Sequence, residues 1–138
     1  MITETKIEVR YPDCDQMGIV HHAVYPIWYE MGRMDFFAAC GCDFLRSRGF
    51  GVDPAMVNLE LNYGAPLRYP QNAILKTRCV LLEGKKIAFR YEIYSGNDEK
   101  PCAGAKSFHI WVRNGKSVDI EREVPEMFAA YKNAVEPV

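Results

Sequence analysis

Residues 6–11 alternate strictly: Ile7, Val9 and Tyr11 fall on one face and Lys6, Glu8 and Arg10 on the other. This predicts a half-buried strand, which Pro12 ends by withdrawing a backbone donor. Between residues 23 and 40 the period lengthens to that of a helix. Val24, Ile27, Trp28, Met31, Met34 and Ala38 recur at helical spacing, Phe36 and Phe37 widen the apolar surface, and only Glu30, Arg33 and Asp35 interrupt it. A helix this apolar must be covered on most sides. Pro26 fits only the first turn of such a helix, so the start is expected close to His22 or Ala23, and Gly41 is the expected stop. Four more alternating runs follow, over residues 57–63, 75–81, 87–93 and 108–113, with hairpin breaks at Glu83-Gly84, residues 95–98 and Asn114-Gly115. Pro125 opens a terminal helix over residues 125–134.

Strand, apolar helix, four strands, helix is an α+β order. It predicts a curved five-stranded antiparallel sheet wrapped around one long central helix. No repeat or linker divides the chain, so residues 1–138 read as a single domain. Five strands leave exposed edges, and a homodimer or homotetramer joined at such edges is expected.

Composition narrows the function classes. The chain has 138 residues, is 49% hydrophobic and carries a formal net charge of −1. Without a basic stripe, nucleic acid is not the expected partner. Charges interrupt every long apolar run, so no membrane span is expected, and the first residues lack the apolar core of a signal peptide. Cys14, Cys40, Cys42, Cys79 and Cys102 are odd in number and show no CxxC spacing. They read as free thiols of a cytoplasmic protein, and no metal site is expected. No glycine-rich nucleotide loop occurs.

The chemistry concentrates in residues 11–25, which hold Asp13, Asp15, Gly18, His21 and His22 just ahead of the helix. Asp15 is the leading candidate. A carboxylate there can cap free N–H groups, and it can also attack a thioester or activate a water. Backbone N–H groups at the helix start, near His22, would meet the developing oxyanion. Asp13 is read as solvated or turn-capping. Cys14 is read as filler, because flanking carboxylates suppress a thiolate. His21 and His22, adjacent on extended backbone, would point opposite ways. His109 is assigned to structure, Tyr11 to packing or a hydrogen bond near the reacting group, and Glu30 to a pair with Arg33. Lys85, Lys86, Arg113 and Lys116 sit at turns, where they are either solvated or available to phosphates.

Residues 9–33 resemble the hotdog-fold acyl-CoA thioesterases, in particular the 4-hydroxybenzoyl-CoA thioesterase family with its YbgC-like members. The pattern Asp-x-Asp-x-x-Gly-x-Val, a following tyrosine and an aromatic-rich helix is matched by Asp13, Asp15, Gly18, Val20 and Tyr25. The resemblance implies hydrolysis of an acyl-CoA to free acid and coenzyme A without a separate cofactor. It assigns Asp15 as nucleophile or general base, the His22 backbone N–H as the carbonyl donor, Tyr11 as a residue associated with the site, and Gly18 to the turn approaching the thioester. It also implies a site at a subunit interface, to which Glu30 or the 57–63 strand of a neighbour contributes. His21 departs from the Tyr or Trp usual at its position. A hydratase or dehydratase acting on acyl thioesters, and a non-catalytic acyl-thioester binder, are the alternatives on the same scaffold.

Overall fold

The computed structural model describes residues 1–136. Strand β1 (Thr3–Glu8) leads through a single 3-10 turn at Tyr11–Asp13 to helix α1 (Tyr25–Ala39) and the short helix α2 (Phe44–Gly49). Strands β2 (Asp53–Tyr63), β3 (Asn72–Glu83), β4 (Lys86–Ser95) and β5 (Ala103–Arg113) follow. The two-residue β6 (Lys116–Ser117) and helices α3 (Ile120–Glu123) and α4 (Pro125–Lys132) close the chain. The sheet order is β1-β3-β4-β5-β2, with every neighbouring pair antiparallel and β6 added to β5. The sheet curls around α1, which packs chiefly on β1 and β3 and less on β4. This is the α+β hotdog arrangement.

The face of α1 that enters the core differs from the expected stripe. Tyr25, Trp28, Tyr29, Gly32, Phe36 and Phe37 are buried, whereas Ile27 (59% exposed), Met31 and Met34 point away from the sheet. Both stripes are apolar, so periodicity alone does not choose between them. Gly32 decides the seating: a Cβ there would run into the side chains of Thr77 and Leu75 on β3, so the helix lies against the sheet at this point. The helix begins at Tyr25, two to three residues later than expected, because residues 22–24 form a preceding turn.

Other boundaries shift for local reasons. Tyr11 belongs to the 3-10 turn and is 77% exposed, so it does not share the buried face of Ile7 and Val9. Strand β5 begins at Ala103, five residues before the alternating run, because Ala103, Gly104 and Ala105 carry no β-forming side chains. Its core face holds Ser107, His109 and Trp111, while Phe108 and Ile110 lie half-buried on the outer face. Cross-strand neighbours from β3 (Leu75, Cys79) and β4 (Ile87, Phe89, Ile93) complete the core. Helix α4 caps it through the Tyr131 ring, stacked on Trp111 at 6.1 Å, and the Tyr131 hydroxyl, which donates to the Cys42 carbonyl at 2.8 Å.

His109, only 1% exposed, tests this packing. Burial, and secondarily the nearby Arg33 guanidinium, push its pKa down from 6.5 to about 4. Between those values the unfolded chain takes up a proton that the folded chain refuses. Stability is therefore full above about pH 6.5 and declines as pH falls toward 4, by on the order of 3 kcal/mol in total. Urea unfolding across this window should show the decline in wild type and a flatter profile in His109→Gln; parallel profiles would contradict a buried neutral imidazole.

Candidate active site

The segment between β1 and α1 is pinned on both flanks. Asp13 is 4% exposed and accepts from the Arg10 backbone N–H at 2.9 Å and from the Arg10 guanidinium at 2.9 and 3.3 Å. The Arg10 hydrogen bond holds the Asp13 carboxyl below the usual carboxylate range. Asp13 thus caps the turn as one expected reading had it, but it is buried rather than solvated. Its carbonyl accepts from His21 N–H at 2.9 Å, Cys14 and Val20 form a β-bridge, and Val20 N–H donates to Leu67 O at 2.8 Å.

Within this small hairpin, Asp15 and Gly18 close a tight turn. Gly18 N–H donates to Asp15 O at 3.0 Å, and Asp15 N–H donates to Ile19 O at 2.9 Å. The turn requires φ = 76° at Gly18, a left-handed conformation that glycine adopts without strain. The Asp15 side chain is half-buried and accepts from Met17 N–H at 2.8 Å through Oδ1. That bond fixes the carboxylate on the turn and leaves Oδ2 without a hydrogen-bond donor among the described residues. Arg68 supports the tip by donating to the carbonyls of Met17 and Gly18 at 3.4 and 3.5 Å.

His22 begins the turn that leads into α1. Val24 N–H returns to His21 O at 3.0 Å, and Ala23 N–H donates to His21 Nδ1 at 3.0 Å. The His22 N–H has no acceptor among the described residues. Its carbonyl is held from the other side by the Tyr63 hydroxyl at 2.8 Å, and Tyr63 packs edge-on against Tyr25 at 5.1 Å. Tyr63 is thus a positioning residue for the helix start. Its alternation marked it as part of a strand, but nothing in the sequence places β2 beside the start of α1. The two histidine rings stack at 4.2 Å rather than pointing apart, because the chain turns at this point instead of staying extended.

Several expected partners are not brought together within one chain. Tyr11 packs edge-on against Tyr69 at 5.8 Å and makes no hydrogen bond to Asp15 among the described residues. Glu30 forms no ion pair with Arg33 among the described residues; Arg33 instead donates to the Tyr91 hydroxyl at 3.0 Å. Lys85 and Lys86 lie at the β3–β4 turn, whereas the Asp15 hairpin adjoins the opposite end of β3, where Glu8 pairs with Asn72. The length of β3, roughly 35–40 Å, separates them. These lysines therefore reach a thioester at Asp15 only if a second copy contributes them.

A family model described as thioesterase-like superfamily matches residues 9–131. The chain belongs to that superfamily. The Bacillus subtilis (strain 168) protein named "Putative acyl-CoA thioesterase YneP" is 33% identical over 135 residues, 96% of this chain and 97% of the relative. A DHNA-CoA thioesterase structure from Staphylococcus aureus superposes with a TM-score of 0.89 at 25% identity, covering 96% of this chain and 89% of that one. A 1,4-dihydroxy-2-naphthoyl-CoA thioesterase from Synechocystis shares the fold, with a TM-score of 0.81 at 12% identity, over 94% of this chain and 96% of its own.

In this member of the superfamily the two aspartates have separable structural weight. Asp13→Ala removes a buried, charge-assisted set of bonds and is expected to cost about 1.5–3 kcal/mol, while Asp15→Ala loses one half-exposed bond and is expected to cost under about 1 kcal/mol. Urea melts of both variants decide the point; equal losses would mean that Asp15 is itself part of the scaffold.

Proposed function

We propose that this thioesterase-superfamily chain is a cytoplasmic acyl-CoA thioesterase, hydrolysing an acyl-CoA to the free acid and coenzyme A. The observation that carries the proposal is the pairing of a half-committed Asp15 carboxylate with an unpaired backbone N–H at His22, both on a hairpin pinned on its two flanks. The name of the Bacillus subtilis relative and the Staphylococcus aureus structure support the same class of substrate. No helix of the described residues is long and apolar enough to cross a membrane.

In the proposed reaction the thioester carbonyl accepts from His22 N–H. Asp15 takes a proton from water as the water oxygen bonds to the carbonyl carbon, or bonds to that carbon itself and is released by water afterwards. The C–S bond breaks, and the coenzyme A thiolate leaves and is protonated. An oxyanion donor of this kind is worth about 2.7–4 kcal/mol in a known hydrolase. No separate cofactor is required, coenzyme A being part of the substrate. A hydratase would need the His22 imidazole hydrogen-bonded to Asp15, and no such bond is found among the described residues.

The functional unit is proposed to be a homodimer or homotetramer. Strand β2 is an open sheet edge carrying Met56 and Val57 at 42% and 56% exposure, an arrangement that a second copy would cover. Assembly would also allow Lys85 and Lys86 of a neighbouring copy to meet the coenzyme A phosphates, and Tyr11 to approach a neighbour's substrate.

Asp15→Asn should lower kcat for a panel of acyl-CoAs at least a hundred-fold, a loss typical of removing a positioned base, with folding intact. Hydrolysis at the wild-type rate would remove Asp15 from the chemistry. Lys85→Ala/Lys86→Ala should raise KM for acyl-CoA several-fold, in keeping with the loss of exposed charge contacts, while leaving hydrolysis of an acyl-N-acetylcysteamine thioester, which lacks phosphates, unchanged. Equal effects on both substrates would rule out phosphate recognition.

A further inference from the structure

Between α1 and the start of β2 lies a cavity of about 200 Å³, walled by Met34, Phe37, Phe44 and Pro54 and rimmed by Glu30 and Arg33. Two more polar groups on it are already engaged. Asp53 is 3.8 Å from Arg48, and the Ser47 hydroxyl donates to Val52 O at 3.1 Å. Arg33 has no carboxylate within ion-pair distance among the described residues. A partly buried guanidinium against an apolar wall, without a counterion, is unfavourable unless something else occupies its donors.

The guanidinium is nevertheless held in place from beneath. Arg33 Nη1 donates to Tyr91 Oη at 3.0 Å, and Tyr91 Oη, Ser107 Oγ and His109 Nε2 continue the chain at 2.6 and 2.8 Å. Arginine can only donate. The Tyr91 oxygen therefore accepts from Arg33, and hydrogen bonds continue from it through Ser107 Oγ to His109 Nε2. This chain of three buried side chains anchors the guanidinium, whose remaining donors have no partner among the described residues while Arg33 lines the cavity.

We propose that Arg33 is a specificity residue that reads the far end of the acyl group. It would favour acyl chains ending in a neutral oxygen acceptor, a hydroxyl or a carbonyl, over plain hydrocarbon chains. The inference rests on the thioesterase reading above, with the carbonyl at His22. Arg33 lies roughly 12 Å along α1 from its first residue, Tyr25, and helical side chains lean toward the N-terminus, which turns its side chain back toward the His22 end of the helix. The uncommitted carboxylate of Glu30 on the same rim opposes a carboxylate tail but accepts from a hydroxyl. Tyr91, Ser107 and His109 act through Arg33 as positioning residues.

The test uses non-hydrolysable thioether analogues of acyl-CoA, one with an alkyl tail and one of equal length ending in a hydroxyl, measured calorimetrically on wild type, Arg33→Met and Arg33→Lys. Hydrolysis of the matching thioesters is followed in parallel. Wild type should prefer the hydroxyl-ended analogue about ten-fold or more, as expected for one charge-assisted hydrogen bond. Arg33→Met should abolish or reverse the preference, Arg33→Lys should keep part of it, and Tyr91→Phe should weaken it without changing net charge. No preference in wild type, or a preference unchanged in Arg33→Met, overturns the assignment. If the analogues show the preference while neither thioester is hydrolysed, the thioesterase reading fails and the Arg33 assignment stands. Hydrolysis of both thioesters without any preference has the opposite meaning.

Discussion

The seating of α1 on β3 at Gly32 sets the geometry of everything else. With a hydrogen where any other residue has a Cβ, the helix comes down onto Thr77 and Leu75, and its two ends and both flanks are fixed at once. One end presents the His22 turn to the Asp15 hairpin. Further along, one flank lays Arg33 over Tyr91, and beyond it Phe36 and Phe37 meet Phe89 and Tyr131 edge-on or tilted. A helix held even a side chain's thickness higher would lift both functional regions off the sheet.

The hairpin ahead of the helix solves a different problem: how to keep polar groups available rather than satisfied. The hairpin is closed by Asp13 O to His21 N–H, Asp15 O to Gly18 N–H and Val20 N–H to Leu67 O. The N–H at His22 and one carboxylate oxygen at Asp15 take no part in these bonds and stay free among the described residues. An unpaired donor held by rigid neighbours does not need to reorganise when charge develops, which is the property that makes such donors effective. The Asp13 carboxylate, buried beneath a largely exposed Arg10 side chain, adds to this rigidity through its three bonds from Arg10.

The sheet, the long helix and the catalytic aspartate candidate were legible in the sequence because each rests on local pattern: alternation, helical period, and a carboxylate beside glycine. What was hidden depends on contacts distant in the chain. The choice between the two apolar stripes of α1 is made by Gly32 meeting β3. Tyr63 becomes a support for His22 only because β2 lies at the sheet edge, forty-one residues away. His109, assigned to structure, proves to be the end of a buried chain that starts at Arg33, a connection between helix and sheet that periodicity cannot express. Asp13 is a capping residue as its position suggested, but it is buried, and its bonds from Arg10 form only once the chain turns at Tyr11–Asp13.

The central claim is that a thioester carbonyl rests on the His22 N–H beside Asp15. Infrared difference spectroscopy of an acyl-CoA with a ¹³C-labelled carbonyl, bound to Asp15→Asn so that it stays intact, measures this directly. A carbonyl polarised by a preorganised donor should absorb at clearly lower frequency than the same thioester in water. A stretch at or above the solution value would mean that the carbonyl does not lie against that donor.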